Sequence, residues 1–247
     1  MFTRTSFMTK KPPKIAYLIP NFFTASSIFS GFFSISYAIE GFYTYSAWLI
    51  LLALVFDGLD GRVARLTNTT SKFGMEFDSL ADIISFGAAP AVLIYTYVGI
   101  DFGRLGIVVS ALYVMFGAIR LARFNVMDST EEPSIFIGIP IPTAAVFLSI
   151  LVLLFEKYQF SGGFCIVMII VMMGVSLLMV SNIRYPSFKK MDGIHVHYMR
   201  TLVAGVLTAS LLILHPIEGL AILFSLYLLY GPMRAIYTIY HRHKLMK

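Results

Sequence analysis

Cysteine is almost missing from this 247-residue chain: Cys165 is the only one, set in an apolar run, and a disulfide framework and a cysteine-built zinc site are both excluded. Charge is scarce as well, at 13% of residues against 58% hydrophobic, and no internal repeat, low-complexity tract or long polar domain interrupts the pattern. That balance excludes a soluble globular domain and describes a polytopic membrane protein. The net charge of +6 does not point to nucleic acid, because the basic residues fall in short blocks between apolar segments and the aromatic residues lie within or at the ends of those segments. Blocks and belts of this kind set membrane topology and meet anionic lipid heads.

Hydropathy predicts eight spans, each near the ~20 residues that cross a hydrocarbon layer: 18–39, 43–65, 76–99, 104–124, 139–156, 163–182, 199–214 and 217–238. The expected fold is therefore all-α, a polytopic membrane helical bundle of about eight transmembrane helices forming a single integral-membrane domain over 1–247. Residues 1–14 and 239–247 read as tails. The Ser-Tyr-Ala at 36–38 loosely fits a signal-peptide cleavage site, but a run of full spanning length followed by further apolar runs favours a retained first helix. The last two spans read as a tight hairpin that breaks at His215 and Pro216, with a re-entrant pair as the alternative. An even number of spans puts both termini on one side. All Lys and Arg except Arg104 and Lys157 then fall on that side, which the positive-inside rule makes cytoplasmic. The longest polar connections, 125–138 and 183–198, share it.

The exception to the apolar rule is one stretch, DGLDGRVARLTNTTSKFGMEFDSLAD, residues 57–82. An ionised carboxylate costs ~2.5–3.5 kcal/mol at the middle of a membrane helix, so Asp57, Asp60, Asp78 and Asp82 need a compensating partner. Asp57 and Asp60 share one face of the second helix, and Asp78 and Asp82 one face of the third. The Thr-, Asn- and Ser-rich LTNTTSKF between them reads as a turn. Asp57 and Asp82 lie equally far from its centre, and Asp60 and Asp78 nearly so, so an antiparallel pair brings the four acids together at matched depth. Four hard oxygen donors without His or Cys suit Mg²⁺ or Mn²⁺. Gly61, Ala64 and Gly74 keep the surface low for a close approach, and Arg65 stands one turn along, suited to phosphate oxygens.

The stretch fits D-x2-D-G-x2-A-R-x8-G-x3-D-x3-D at every specified position, and this resembles the signature of the CDP-alcohol phosphatidyltransferases. The resemblance implies a mostly dimeric membrane enzyme with a six-helix core around a cavity open to the cytoplasm, moving a phosphatidyl-type group from a CDP-linked lipid to an alcohol and releasing CMP. By position it implies that Asp57, Asp60 and Asp78 bind a pair of metal ions, that Asp82 completes the metal site and acts as general base, and that Gly61, Ala64, Arg65 and Gly74 border the CDP moiety. Asn21 and Thr24 resemble positions that hold the nucleotide; as plain structure they read as a cap and a helix hydroxyl.

Three further segments resemble the phosphatidylserine synthase branch of that family: Arg120, Arg123 and Asn125 in GAIRLARFN, the GIPIPTAA of 138–145, and Arg184 in SNIRYPSFKK. They imply L-serine as acceptor and CDP-diacylglycerol as donor, with Arg120, Arg123 or Arg184 meeting the serine carboxylate. His195 and His197 read as surface residues. Two alternatives stand beside this: a relative using glycerol 3-phosphate or an inositol phosphate, and an ion transporter with an acidic site. The missing repeat and the off-centre acids speak against the transporter.

Overall fold

A computed structural model of the chain describes residues 14–127, 135–159, 163, 165–186, 208 and 210–245. After a short 3₁₀ turn at Lys14–Tyr17, helix α1 runs Leu18–Ile39 and folds back through Gly41, at φ +84°, onto α2, Tyr43–Leu66. Apart from Pro20, the buried positions of α1 are small or hydroxylated (Thr24, Ser27, Ser30, Gly31, Ser34 and Ala38), while Phe22, Phe29 and Phe32 point outward. Small residues let helices approach, and large apolar ones have no reason to hide from lipid. Ser34 seals the hairpin by donating to the Ser46 carbonyl at 3.0 Å.

The connection after α2 turns at Asn68, in the left-handed region at φ 52°. Ser71 then caps α3, Lys72–Asp82, its Oγ accepting from the Gly74 amide at 3.0 Å. This cap starts the helix four residues before the expected position 76. Nor is the third span uniform: a π-helical turn at Ile83–Ala88 separates α3 from α4, Ala89–Tyr97.

A 3₁₀ turn, Gly99–Phe102, leads to α5, Arg104–Met127. Helix α6, Ile141–Tyr158, lies at the centre of the bundle, with Ile141, Ala144, Leu148 and Val152 fully enclosed. Pro142 sits in its first turn, where no amide is needed. Before it, Gly138 adopts φ +75° and passes so close to the Met179 carbonyl that a Cβ would collide. Helix α7, Cys165–Val180, packs along α5.

Two three-residue strands, β1 (Ile135–Ile137) and β2 (Arg184–Pro186), pair antiparallel with Phe136 opposite Tyr185. They are a small departure from an all-helical fold and tie together the two long polar connections. The last helix, α8, runs Pro216–Leu245 and packs its first half on α6 through Ala221 against Val146 and Ile150. Thirty residues make about 45 Å of helix, against a ~30 Å hydrocarbon layer. The segment expected to be a tail from 239 is therefore helical to Leu245.

Among the described residues, five helical stretches are long and apolar enough to cross a membrane: 15–39, 72–97, 104–126, 141–158 and 216–234. Helix α2, whose last turns carry Asp57, Asp60, Arg62 and Arg65, is not among them, and α7 is short at 16 residues. Every expected span except 199–214 coincides with a helix; most of that one, like His195 and His197, lies outside the described residues. The fold is that of a helical integral membrane protein.

Candidate active site

The α2–α3 hairpin does what its spacing predicts. Oxygen atoms of Asp57, Asp60 and Asp78 come within 4.8 Å of one another. Asp82, one turn beyond Asp78, faces Asp57 from the buried side and is only 8% exposed. Three of the four expected ligands thus form one group, and the fourth adjoins it.

Neighbouring elements hold these acids in different ways. Thr24 on α1 donates to Asp60 Oδ2 at 2.7 Å in a buried hydrogen bond. The threonine therefore reaches the site through a carboxylate. Asn21, one turn earlier, lies against Gly74: a Cβ there would sit 3.6 Å from Asn21 Oδ1. One face of α1 thus braces both arms of the hairpin. Gly61 leaves room for the Arg65 guanidinium, 3.5 Å from where a Cβ would be. Ala64 closes the α2 end, its carbonyl accepting from the Thr69 amide at 2.9 Å.

The donor set is suited to a hard divalent cation. Asp78 Oδ1 and Asp82 Oδ1 are buried and find no hydrogen-bond partner among the described residues. A buried carboxylate oxygen left so is costly unless something charged or protic meets it. Carboxylates of this number and closeness fit a Mg²⁺- or Mn²⁺-type ion.

The arginines separate clearly. Arg120 on α5 is buried, 8% exposed, and feels the charge of Asp82, with the Tyr227 hydroxyl of α8 in its neighbourhood. Its guanidinium also lies over Phe124, 5.3 Å from the ring centroid. Arg123 turns away and donates to Asn182 Oδ1 at 2.9 Å, tying α5 to the end of α7. Asn125 donates to Ser79 Oγ on α3, also at 2.9 Å. Arg184 begins β2, its backbone opposite Ile137. The charge of Arg120 reaches Asp82 in the acidic cluster, whereas the Arg184 side chain lies outside what the structure describes.

Sequence reasoning missed Ser79, Asn182 and Tyr227, all drawn in by long-range contacts. Uncharged residues on a helix end or an apolar helix carry no signal of their own.

A family model described as CDP-alcohol phosphatidyltransferase matches residues 17–181, which hold all of the acidic stretch. A CDP-diacylglycerol–serine O-phosphatidyltransferase of Helicobacter pylori is 53% identical over 226 residues, covering 90% of this chain and 93% of the relative. An archaetidylserine synthase of Methanothermobacter thermautotrophicus is 41% identical over 177 residues, 71% of each chain. A CDP-diacylglycerol–serine O-phosphatidyltransferase of Mycobacterium leprae is 36% identical, covering 87% of this chain and 73% of the relative.

Proposed function

The chain belongs to the CDP-alcohol phosphatidyltransferase family, and from that membership we propose that it makes phosphatidylserine, transferring the phosphatidyl group of CDP-diacylglycerol to the hydroxyl of L-serine and releasing CMP. It is a membrane transferase, and the ion-transporter alternative falls away. The observation that carries the chemistry is the acidic group of Asp57, Asp60 and Asp78, with Asp82 beside it and Arg120 buried next to Asp82. The names of the similar relatives carry the acceptor.

The family works with a divalent metal, and the residues present fit one. Asp57, Asp60 and Asp78 would hold it, with Asp82 completing the set; a pair of Mg²⁺ or Mn²⁺ ions bound there would supply positive charge to offset that of a diphosphate. Thr24 keeps Asp60 turned toward the cluster. Asp82 takes the proton of the serine hydroxyl as that oxygen bonds to the phosphorus bearing diacylglycerol. The bond from this phosphorus to the CMP oxygen breaks, and CMP leaves with the electron pair. Arg120 meets the serine carboxylate, orienting the hydroxyl toward Asp82. Asn21, Gly61, Ala64, Arg65 and Gly74 line the CDP side. Arg123, Asn125 and Arg184 edge the acceptor side, the first two by bracing α5 against α7 and α3.

The basic residues support a cytoplasmic active site with both termini cytoplasmic. The family supports a homodimer and a single domain over 1–247. Serine-dependent release of CMP from CDP-diacylglycerol, in nanodiscs with and without Mn²⁺ or Mg²⁺, tests the whole reading. Release with glycerol 3-phosphate or an inositol phosphate but not serine would refute the acceptor; no release with any alcohol would refute the activity.

A further inference from the structure

The turn that comes after Asp82 widens from α to π register just where the third span leaves the acidic cluster. In that turn the Ala89 amide bonds the Ile84 carbonyl, five residues back. Pro90, two residues into α4, explains part of this: in α register its nitrogen would serve the Phe86 carbonyl, and proline has no N–H to give. The Phe86 carbonyl instead accepts from the Tyr113 hydroxyl on α5, at 3.0 Å and fully buried. On the opposite side the same turn is fastened to α1. Ser85 Oγ donates to the Ser27 carbonyl at 2.9 Å, and Gly31 lets the two backbones meet, since a Cβ there would lie 2.8 Å from Ser85 Cα.

We propose that Tyr113 and Ser85 clamp this π turn from its two sides and so set the orientation of Asp82; Tyr113 is a positioning residue for the transfer reaction. The inference rests on the role proposed above for Asp82. One residue of helix is worth about 100° of rotation, so a turn that slips between π and α register swings the helix on its N-terminal side against the helix on its C-terminal side. Helix α4 cannot take up such a swing, because Leu93 and Ile94 are locked in the core. The slip would therefore fall on α3, which carries Asp78 and Asp82. Helix α5 governs both ends of this arrangement: Tyr113 holds the turn, and Arg120, two turns later on the same face, approaches Asp82.

The test compares Tyr113→Phe, which keeps the ring and removes the donor, with Met172→Ala, which empties core volume on α7, a helix that packs mainly on α5 and α6. Both are measured in nanodiscs with saturating Mn²⁺ for kcat, for KM toward CDP-diacylglycerol and for thermal unfolding, with hydrogen exchange monitored across 83–91. In Tyr113→Phe, kcat falls about tenfold with KM within about twofold, and exchange across 83–91 rises, because the buried Phe86 carbonyl loses the Tyr113 hydroxyl. Met172→Ala unfolds at lower temperature yet keeps kcat. Wild-type kcat in Tyr113→Phe, or a loss no greater than in Met172→Ala, overturns the clamp. If Tyr113→Phe does not fold, Ser85→Ala is held to the same criteria from the α1 side. Should the wild type reject serine, the acceptor assignment falls alone, and the clamp is judged on the alcohol the enzyme does use and on the exchange of 83–91.

Discussion

Replacing Thr24 by Val deletes one hydroxyl and almost no volume, which isolates the bond it makes. That hydroxyl has one proton and two acceptors in reach, the Pro20 carbonyl at 3.2 Å and Asp60 Oδ2 at 2.7 Å. The shorter bond to a charged oxygen is the stronger. Thr24 is 3% exposed and Asp60 6%, so water is a poor replacement for the lost donor. Partners that orient a metal-binding side chain are worth about 10- to 100-fold in metal affinity or activity when removed. A buried bond to a carboxylate, at roughly 1.5–3 kcal/mol, gives the same range. We therefore expect the Mn²⁺ concentration for half-maximal CMP release to rise at least about tenfold in Thr24→Val. Thr24→Ser, which keeps the donor, should stay near wild type. The assay is CMP release titrated with Mn²⁺ in nanodiscs, checked by direct Mn²⁺ binding. An unchanged metal titration in Thr24→Val would refute the argument that Thr24 acts through Asp60.

Three other outcomes are expected from the same geometry. Asp82→Asn should lower transfer by at least about 100-fold while CDP-diacylglycerol still binds, the usual worth of a lost general base; comparable turnover in that variant would remove Asp82 from the base role. Gly31→Ala forces a methyl against the Ser85 backbone and should cost about 1–3 kcal/mol, read as a lower unfolding temperature. Glu218 accepts from both Lys157 and Tyr158 at the far end of α6, away from the acids, so Glu218→Gln should leave kcat and the metal titration unchanged.

The α2–α3 hairpin is legible in the sequence because helical periodicity is local. Three- and four-residue spacings put each pair of acids on one face, and a turn rich in Thr, Asn and Ser between them folds the two faces together. The start of α3 is not legible to better than four residues, since LTNTTSKF contains several hydroxyls that could cap and only the backbone shows that Ser71 does. Arg120 and Arg123 look alike in sequence, each at the end of an apolar helix. Three residues of rotation send one toward Asp82 and the other to Asn182.

By itself, the sequence determined that this is a helical membrane protein with one acidic hairpin, because apolar length and helix period are properties of short stretches of chain. It determined the family too, through eight fixed residues whose spacing the hairpin chemistry requires. Tertiary structure alone decided what steadies those residues: the bond from Thr24 to Asp60 across 36 positions, and that from Tyr113 to the Phe86 carbonyl across 27. Such partners are chosen by which helices lie side by side, and no local periodicity encodes that. The π turn after Asp82 belongs with them, for Pro90 explains the missing amide but not the tyrosine that answers for it.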